Sequence, residues 1–309
     1  MDYGAHLPLI DFTGKGTSLK QIIDYSETAE RLGYGTLCAN DHLLFPKPWM
    51  DGPTALASVI ASTSSIGFAT TVSLPIVRGP VAMAKTLSAI DILSEGRLTV
   101  GVGPGSSQRD YSAVGIPFEE RWKRLDEAVE TMRALWSKEG TQFKGAYYST
   151  EGVEMEPHPR QQPGPPIWLG SWGSPAGLRR VSRLGDGWLA SAYNTTPEMF
   201  QEARARLDAY LGDAGKDAGE FPDAIATMFC YVTEDPGEAD RVIRDIIAPA
   251  ISRPEEELRE RLPVGSAEEC AEKLSAYQAA GAQRLYLWPV QDEVRQLELF
   301  QERVIPQVG

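Results

Sequence analysis

The stretch Asn40-Asp41-His42-Leu43-Leu44-Phe45-Pro46 sets a carboxylic acid beside an imidazole, soon after the apolar run Tyr34-Gly35-Thr36-Leu37-Cys38. Only three histidines occur in the chain, His6, His42 and His158. An imidazole moves a proton near neutral pH, and a neighbouring carboxylate sets its charge or binds a ligand, so Asp41-His42 is the sharpest acid/base signal present. The competing reading is an Asp that caps the next turn beside a bystander His. Two glycine-rich stretches, Gly101-Val102-Gly103-Pro104-Gly105-Ser106 and Gly170-Ser171-Trp172-Gly173-Ser174, leave backbone N–H groups free ahead of helices. Such groups suit a phosphate, although glycines there also serve plain tight turns.

Other chemistries lack their residues. No GxGxxG opens a helix after the first strand, and GxxxxGK[ST], GxSxG and HExxH are absent. The histidines and scattered acids do not resemble a transition-metal site, and Cys38, Cys230 and Cys270 form no CxxC pair.

Short apolar runs alternating with longer segments of helical period must position these residues. Strands are expected at Gly4 to Leu9, Gly35 to Ala39, Ile66 to Leu74, Arg97 to Gly103, Pro166 to Gly170, Gly187 to Ala192, Ala224 to Val232 and Arg284 to Pro289. Helices are expected at Ser18 to Leu32, Pro53 to Thr63, Pro80 to Leu93, Phe118 to Trp136, Ala176 to Leu184, Pro197 to Leu211, Ala267 to Ala280 and Val294 to Val304. Eight β-then-α units predict one domain over residues 1–309, a (β/α)8 TIM barrel rather than an open doubly wound sheet. Gly140 to Pro165 breaks the rhythm and reads as a rim insertion shaped as a hairpin; Asp235 to Pro263 reads as one long helix or two short ones.

A barrel gathers its chemistry where strands end and βα loops begin. Those ends carry His6, then Asn40, Asp41 and His42, then Thr71 and Val72, the two glycine loops, Ser191 and Tyr193, and Trp288. Trp122, Trp136 and Tyr286 read as core. Trp49, in the Lys47-Pro48-Trp49-Met50-Asp51-Gly52 loop, reads as a working aromatic beside the Asp-His pair.

The chain of 309 residues is 42% hydrophobic and 24% charged, enough for a large core, and its net charge of -13 disfavours a nucleic-acid backbone or an anionic membrane as partner. Widely spaced, odd-numbered cysteines, an N-terminus without signal-peptide character and the lack of a bilayer-length apolar window point to a reduced, cytoplasmic protein.

The strings NDHLLFPKPWMDGPTALASVIASTSSIGFATTVSLPIVRGPVAMAKTLSAIDILSEGRLTVGVGPGS, FEERWKRLDEAVETMRALW and PPIWLGSWGSPAGLRRVSRLGDGWLAS resemble the luciferase-like flavin and deazaflavin oxidoreductases. The likeness spans roughly residues 4 to 195 and implies a TIM barrel. Many FMN members carry a Glu-His-His type sequence after the second strand, whereas members using coenzyme F420 commonly show Asp-His, as here. The resemblance implies an F420-dependent oxidoreductase passing hydride between C5 of F420 and a small organic substrate. Its proton is handled by His42, with Trp49 beside it; Asp41 contacts the cofactor ring, and Trp49 and Trp288 wall an apolar pocket. The resemblance also implies a third-strand bulge with a non-prolyl cis peptide, at Thr71-Val72, and phosphate binding by Gly103, Gly105, Ser106 and Ser107 with Gly170, Ser171, Trp172, Gly173 and Ser174. Sugar-phosphate dehydrogenases of this family carry a Glu where Ser106 stands, so sugar oxidation is set aside. The alternative on the same fold is a reduced-FMN monooxygenase fed by a separate reductase; a cofactor-less partner subunit is a third reading. Homodimers are common among such proteins.

Overall fold

In the computed structural model, which describes every residue except Thr13 and Lys15, eight parallel strands close into a barrel. The strands are β1 Asp2–His6, β2 Thr36–Ala39, β3 Gly67–Ser73, β4 Leu98–Val102, β5 Ile167–Gly170, β6 Gly187–Ser191, β7 Asp223–Val232 and β9 Arg284–Pro289. Each pairs with the next, β9 pairs with both β1 and β7, and β6–β7 pairing completes the ring. A two-residue strand, β8 Val264–Gly265, extends only the end of β7. All eight expected barrel strands are therefore present, their bounds shifted by three residues at most.

β-Branched and apolar residues fill these strands because both faces are covered, by helices outside and by packed side chains within. Inside, bulky rings occupy space that glycines leave: a Cβ on Gly187 would stand 2.5 Å from the Trp168 ring, and one on Gly4 would stand 2.5 Å from the Tyr286 ring. Outside, α4 Pro80–Leu93 and α6 Arg121–Trp136 pack together, and the buried Trp136 donates its Nε1–H to the Ala84 carbonyl at 3.1 Å. Burying a side chain of that size contributes at least ~1.5–3 kcal/mol relative to leaving it in water. Ser18 and Ser266 close capping boxes at the starts of α1 Leu19–Arg31 and α12 Ala267–Ala279, as their S-x-x-Q and S-x-x-E spacings dictate.

Two stretches resolve differently from the barrel rhythm. Residues 140–165 form no strand; a single antiparallel bridge, Lys144↔Ser149, pinches a tight turn whose Ala146 and Tyr147 amides donate to the Glu127 carboxylate of α6. The segment thus lies along a barrel helix, with the hairpin reduced to one bridge. Between Asp235 and Pro263 there are two helical pieces: α9 Pro236–Arg241 runs through a π-helical stretch, Val242–Ile247, into α10 Ala248–Ile251, and α11 Glu255–Arg261 follows a left-handed turn at Ser252. Two short helices escaped sequence reading, α3 Pro75–Arg78 and α5 Gln108–Ala113. Cys38, Cys230 and Cys270 are free and buried. Among the described residues no helix is long and apolar enough to cross a membrane.

Candidate active site

A cavity of about 440 Å³ opens at the C-terminal ends of the strands. The ends of β2 through β7 wall it with Asn40, Asp41 and His42, then Thr71, Val72 and Leu74, then Gly103 to Ser106, Gly170, Ser171, Trp172 and Ser174, then Leu189 to Ser191, Tyr193, Ala226 and Thr227. Phe118, Arg121 and Trp122, from the start of α6 and the turn before it, complete it.

The floor is made by a break in β3. Pairing with β4 runs Thr70↔Val100 and then Ser73↔Val102, so Thr71 and Val72 bulge out of register, and the peptide between them is cis. The glycines of the neighbouring loops make room for it: a Cβ on Gly103 would stand 2.9 Å from Val72 Cγ2, and one on Gly170 would stand 3.1 Å from Val72 Cγ1. These glycines read from sequence as phosphate loops; their first duty is to admit the Val72 side chain. Across the ring, β7 slips register between Ile225 and Met228, and Thr227 adopts φ +57, which a β-branched residue rarely does. Thr227 Oγ1 donates to the Ala226 carbonyl at 2.6 Å and accepts from Ser191 Oγ at 2.9 Å, while Asn194 Nδ2 donates to Ser191 at 3.2 Å.

His42 is fixed from behind. Its Nδ1 lies 2.9 Å from Asp110 Oδ2, and the other oxygen of Asp110 accepts the Leu44 amide at 2.7 Å. A carboxylate only accepts hydrogen bonds, so Nδ1 must carry the proton and Nε2 is left as the nitrogen free to exchange one. No side chain among the described residues takes Nε2. Burial alone would raise the Asp110 carboxyl; the His42 and Leu44 hydrogen bonds outweigh it and hold it below the ordinary carboxylate range. The ring also meets Trp49 edge-on at 4.7 Å and Phe45 at 5.2 Å.

Asp41 faces the cavity with its carboxylate already engaged. Arg78 grips it with Nε at 2.7 Å and Nη2 at 2.5 Å, the Leu74 amide donates at 3.2 Å, and Arg78 also binds Asp51. Burial would lower the Arg78 pKa, but the hydrogen bonds and charges of the two aspartates push it up. Asp41 thereby ties the end of β2 to the segment just after the β3 bulge.

His6 is not an acid/base group. It is wholly buried, stacked on Trp288 at 3.4 Å, and desolvation lowers its pKa to about 3. Its Nδ1–H donates to Leu7 O at 2.8 Å and its Nε2 accepts from the Asn40 amide at 3.0 Å, while Asn40 Oδ1 accepts from Thr71 Oγ1 at 2.8 Å. A neutral imidazole thus steadies the β2 end and, through Asn40, the bulge.

Several expectations need correction. Trp288 is not a cavity wall: it is 1% exposed and packed among His6, Phe229 and Trp49. Trp122, expected in the core, is exposed and lines the cavity, while Trp136 and Tyr286 are core as expected. Trp49 stands behind His42 rather than on the cavity wall, its Nε1 buried without a partner. Ser107 and Gly173 also lie off the wall: Ser107 caps α5, and Gly173, at φ +86, donates to Ser171 Oγ. Sequence reading missed Asp110, Arg78, Phe118 and Arg121. Ser107-Gln108-Arg109-Asp110, with helix-start spacing, was the one local signal for Asp110. Among the described residues no His, Cys, Asp or Glu cluster is placed to hold a metal ion.

The family model described as luciferase-like monooxygenase matches residues 9–284. An F420-dependent hydroxymycolic acid dehydrogenase of Mycobacterium tuberculosis is 32% identical over 71% of this chain and 61% of its own length, so the chain spans under two thirds of that relative. An F420-dependent glucose-6-phosphate dehydrogenase of Nocardia farcinica is 29% identical over 94% of both chains. The solved structure of an F420-dependent secondary alcohol dehydrogenase with an F420-acetone adduct superposes with a TM-score of 0.86 at 20% identity, over 100% of this chain and 99% of that one. With its barrel, its cavity at the strand ends and a family match over most of its length, the chain belongs to the luciferase-like monooxygenase family.

Proposed function

We propose that the protein is an F420-dependent oxidoreductase in which His42 exchanges a proton with a small organic substrate while hydride passes between that substrate and C5 of the deazaflavin. The observation carrying this reading is the His42–Asp110 pair, which presents a single exchangeable nitrogen to the cavity. The curated relatives named above, all F420-dependent dehydrogenases, support the choice of cofactor.

The residues fit a flat ring that carries an acidic tail. Val72 and Thr71 offer a raised floor, Gly103 and Gly170 flank it without side chains, and Ser106, Ser171 and Ser174 offer hydroxyl donors at the loops. When bound, a deazaflavin supplies two electrons as hydride and reacts poorly with oxygen. The protein supplies the rest. Asp110 keeps Nδ1 protonated; Nε2 accepts a proton from a substrate hydroxyl on oxidation, and on reduction the imidazolium returns it to the developing alkoxide. Trp49, edge-on to His42 with its N–H buried behind the ring, backs the imidazole. Asp41 acts through Arg78 and Leu74 to hold the floor in place. Ser106 offers no carboxylate, and Asp41 is held by Arg78, so the proton falls to the imidazole.

The test is an anaerobic titration of the purified protein with F420 and with FMN, followed by fluorescence, then by turnover with secondary alcohols. F420 binding at micromolar or lower concentration with F420 reduction supports the reading. FMN binding alone, with oxygen consumption, overturns it in favour of a flavin monooxygenase.

A further inference from the structure

The geometry points to Tyr193 as the hydrogen-bond donor that holds the substrate's oxygen from the wall opposite His42. Round the closed barrel β6 stands four strands from β2, and β7 four from β3, so each pair faces across the mouth. His42 follows β2, Tyr193 follows β6, and both line the same cavity. A flat ring resting on the β3 bulge therefore turns its open face toward the β6 and β7 ends, where the wall carries the hydroxyls of Ser191, Tyr193 and Thr227.

Two of those three hydroxyls are committed. Thr227 Oγ1 gives its proton to the Ala226 carbonyl at 2.6 Å, so at its 2.9 Å contact with Ser191 it accepts and Ser191 donates. Ser191 Oγ in turn accepts from Asn194 Nδ2 at 3.2 Å, and the Asn194 oxygen accepts from Arg253 Nη2 at 2.6 Å. The donors run one way, from Arg253 to Ala226, and give the cavity no proton. Tyr193 is fixed by other contacts: Arg261 Nη1 donates to its carbonyl at 2.9 Å, and its ring stacks on Phe229 with centroids 6.3 Å apart. Burial pushes the phenol up, against the lowering by Ser191, the Arg253 charge and Asn194, so it keeps its proton at neutral pH. Its hydroxyl is the donor this wall has left.

This inference rests on the deazaflavin reading and deepens it. In alcohol oxidation the O–H proton passes to His42 Nε2, the carbinol hydrogen leaves with its electron pair as hydride to C5 of the oxidised deazaflavin, and the C–O bond becomes a carbonyl. Tyr193 donates to the same oxygen throughout, keeps its own proton and stabilises the alkoxide as it develops.

The test uses F420 with isopropanol, cyclohexanol and phenylethanol as substrates, and isobutyramide as an unreactive carbonyl, on wild type and Tyr193→Phe. The variant is expected to bind F420 within twofold of wild type and to lose about a hundredfold in kcat/KM, the usual cost of removing one donor from a developing oxyanion. Isobutyramide, followed through the fluorescence of bound F420, should bind it about tenfold more weakly. Turnover within threefold of wild type overturns the proposal, as does an F420 affinity that falls in step with turnover, which assigns the phenol to the cofactor wall. F420 binding by wild type without turnover of any of these alcohols or binding of isobutyramide also overturns it and leaves the cofactor reading standing. Failure of the wild type to bind F420 overturns that reading, and the role of Tyr193 with it.

Discussion

Replacing Asp110 by asparagine keeps the shape and removes the charge behind His42. Asp110 receives two hydrogen bonds, from His42 Nδ1 at 2.9 Å and from the Leu44 amide at 2.7 Å. Asparagine has one acceptor oxygen to offer, and the main-chain Leu44 amide has no alternative donor geometry, so the oxygen stays with Leu44 and the amide NH2 turns to the imidazole. An N–H facing Nδ1 needs a lone pair there, which moves the ring proton to Nε2 and removes the basic nitrogen from the cavity. A hydrogen bond to a charged group is worth about 1.5–3 kcal/mol, so turnover is expected to fall by roughly tenfold to a hundredfold at near-constant cofactor affinity. With only three histidines in the chain, 15N NMR of histidine-labelled protein reads the tautomer directly. Wild type should show Nδ1–H at His42, and Asp110→Asn should show Nε2–H. Turnover within threefold of wild type, or an unchanged tautomer, would refute the orienting role.

Three further outcomes are expected. His42→Ala should leave cofactor binding within a few-fold and lower turnover by about a hundredfold or more, and unchanged turnover would remove His42 from the chemistry. Arg78→Met strips a buried carboxylate of its cation, a change of about 3–5 kcal/mol for a buried pair, read as a lowered urea midpoint; a loss under about 1 kcal/mol would show that Asp41 does not depend on Arg78. Glu30 accepts the Ser64, Ser65 and Ile66 amides, and although burial raises its carboxyl these bonds bring it down to about 2. A folded-state value below the unfolded one contributes stability that is complete above about pH 4.5 and disappears as the pH falls towards 2. The stability gap between wild type and Glu30→Gln should therefore narrow across that window, and a gap independent of pH would contradict the assignment.

The barrel was legible because its signals are local. Each strand is a short apolar run, and Pro80, Ser174-Pro175 and Pro197 punctuate helix starts that the structure places at the same residues. The Asp41-His42 pair was legible for the same reason. What decides the site, however, comes from far along the chain: Asp110 lies 68 positions from His42 and Arg78 lies 37 from Asp41. Their elements are short, and Pro75 and Pro80 make α3 look like a loop. Trp122 read as core because it sits in an amphipathic helix, yet it falls in the first turn of α6, which overlooks the cavity. Trp288 erred in the other direction, since a strand-end aromatic can stack inward on His6 as readily as it can face a ligand. Gly103 and Gly170 border the cavity, and their spacing in sequence could not show that they also make room for Val72, a neighbour from another strand.

A co-crystal structure with F420 tests the central claim most directly. The account predicts ring density resting on the Thr71-Val72 bulge, with its reactive face open to His42 Nε2. Density for the ring elsewhere on the barrel, or with its reactive face turned from His42, would contradict it.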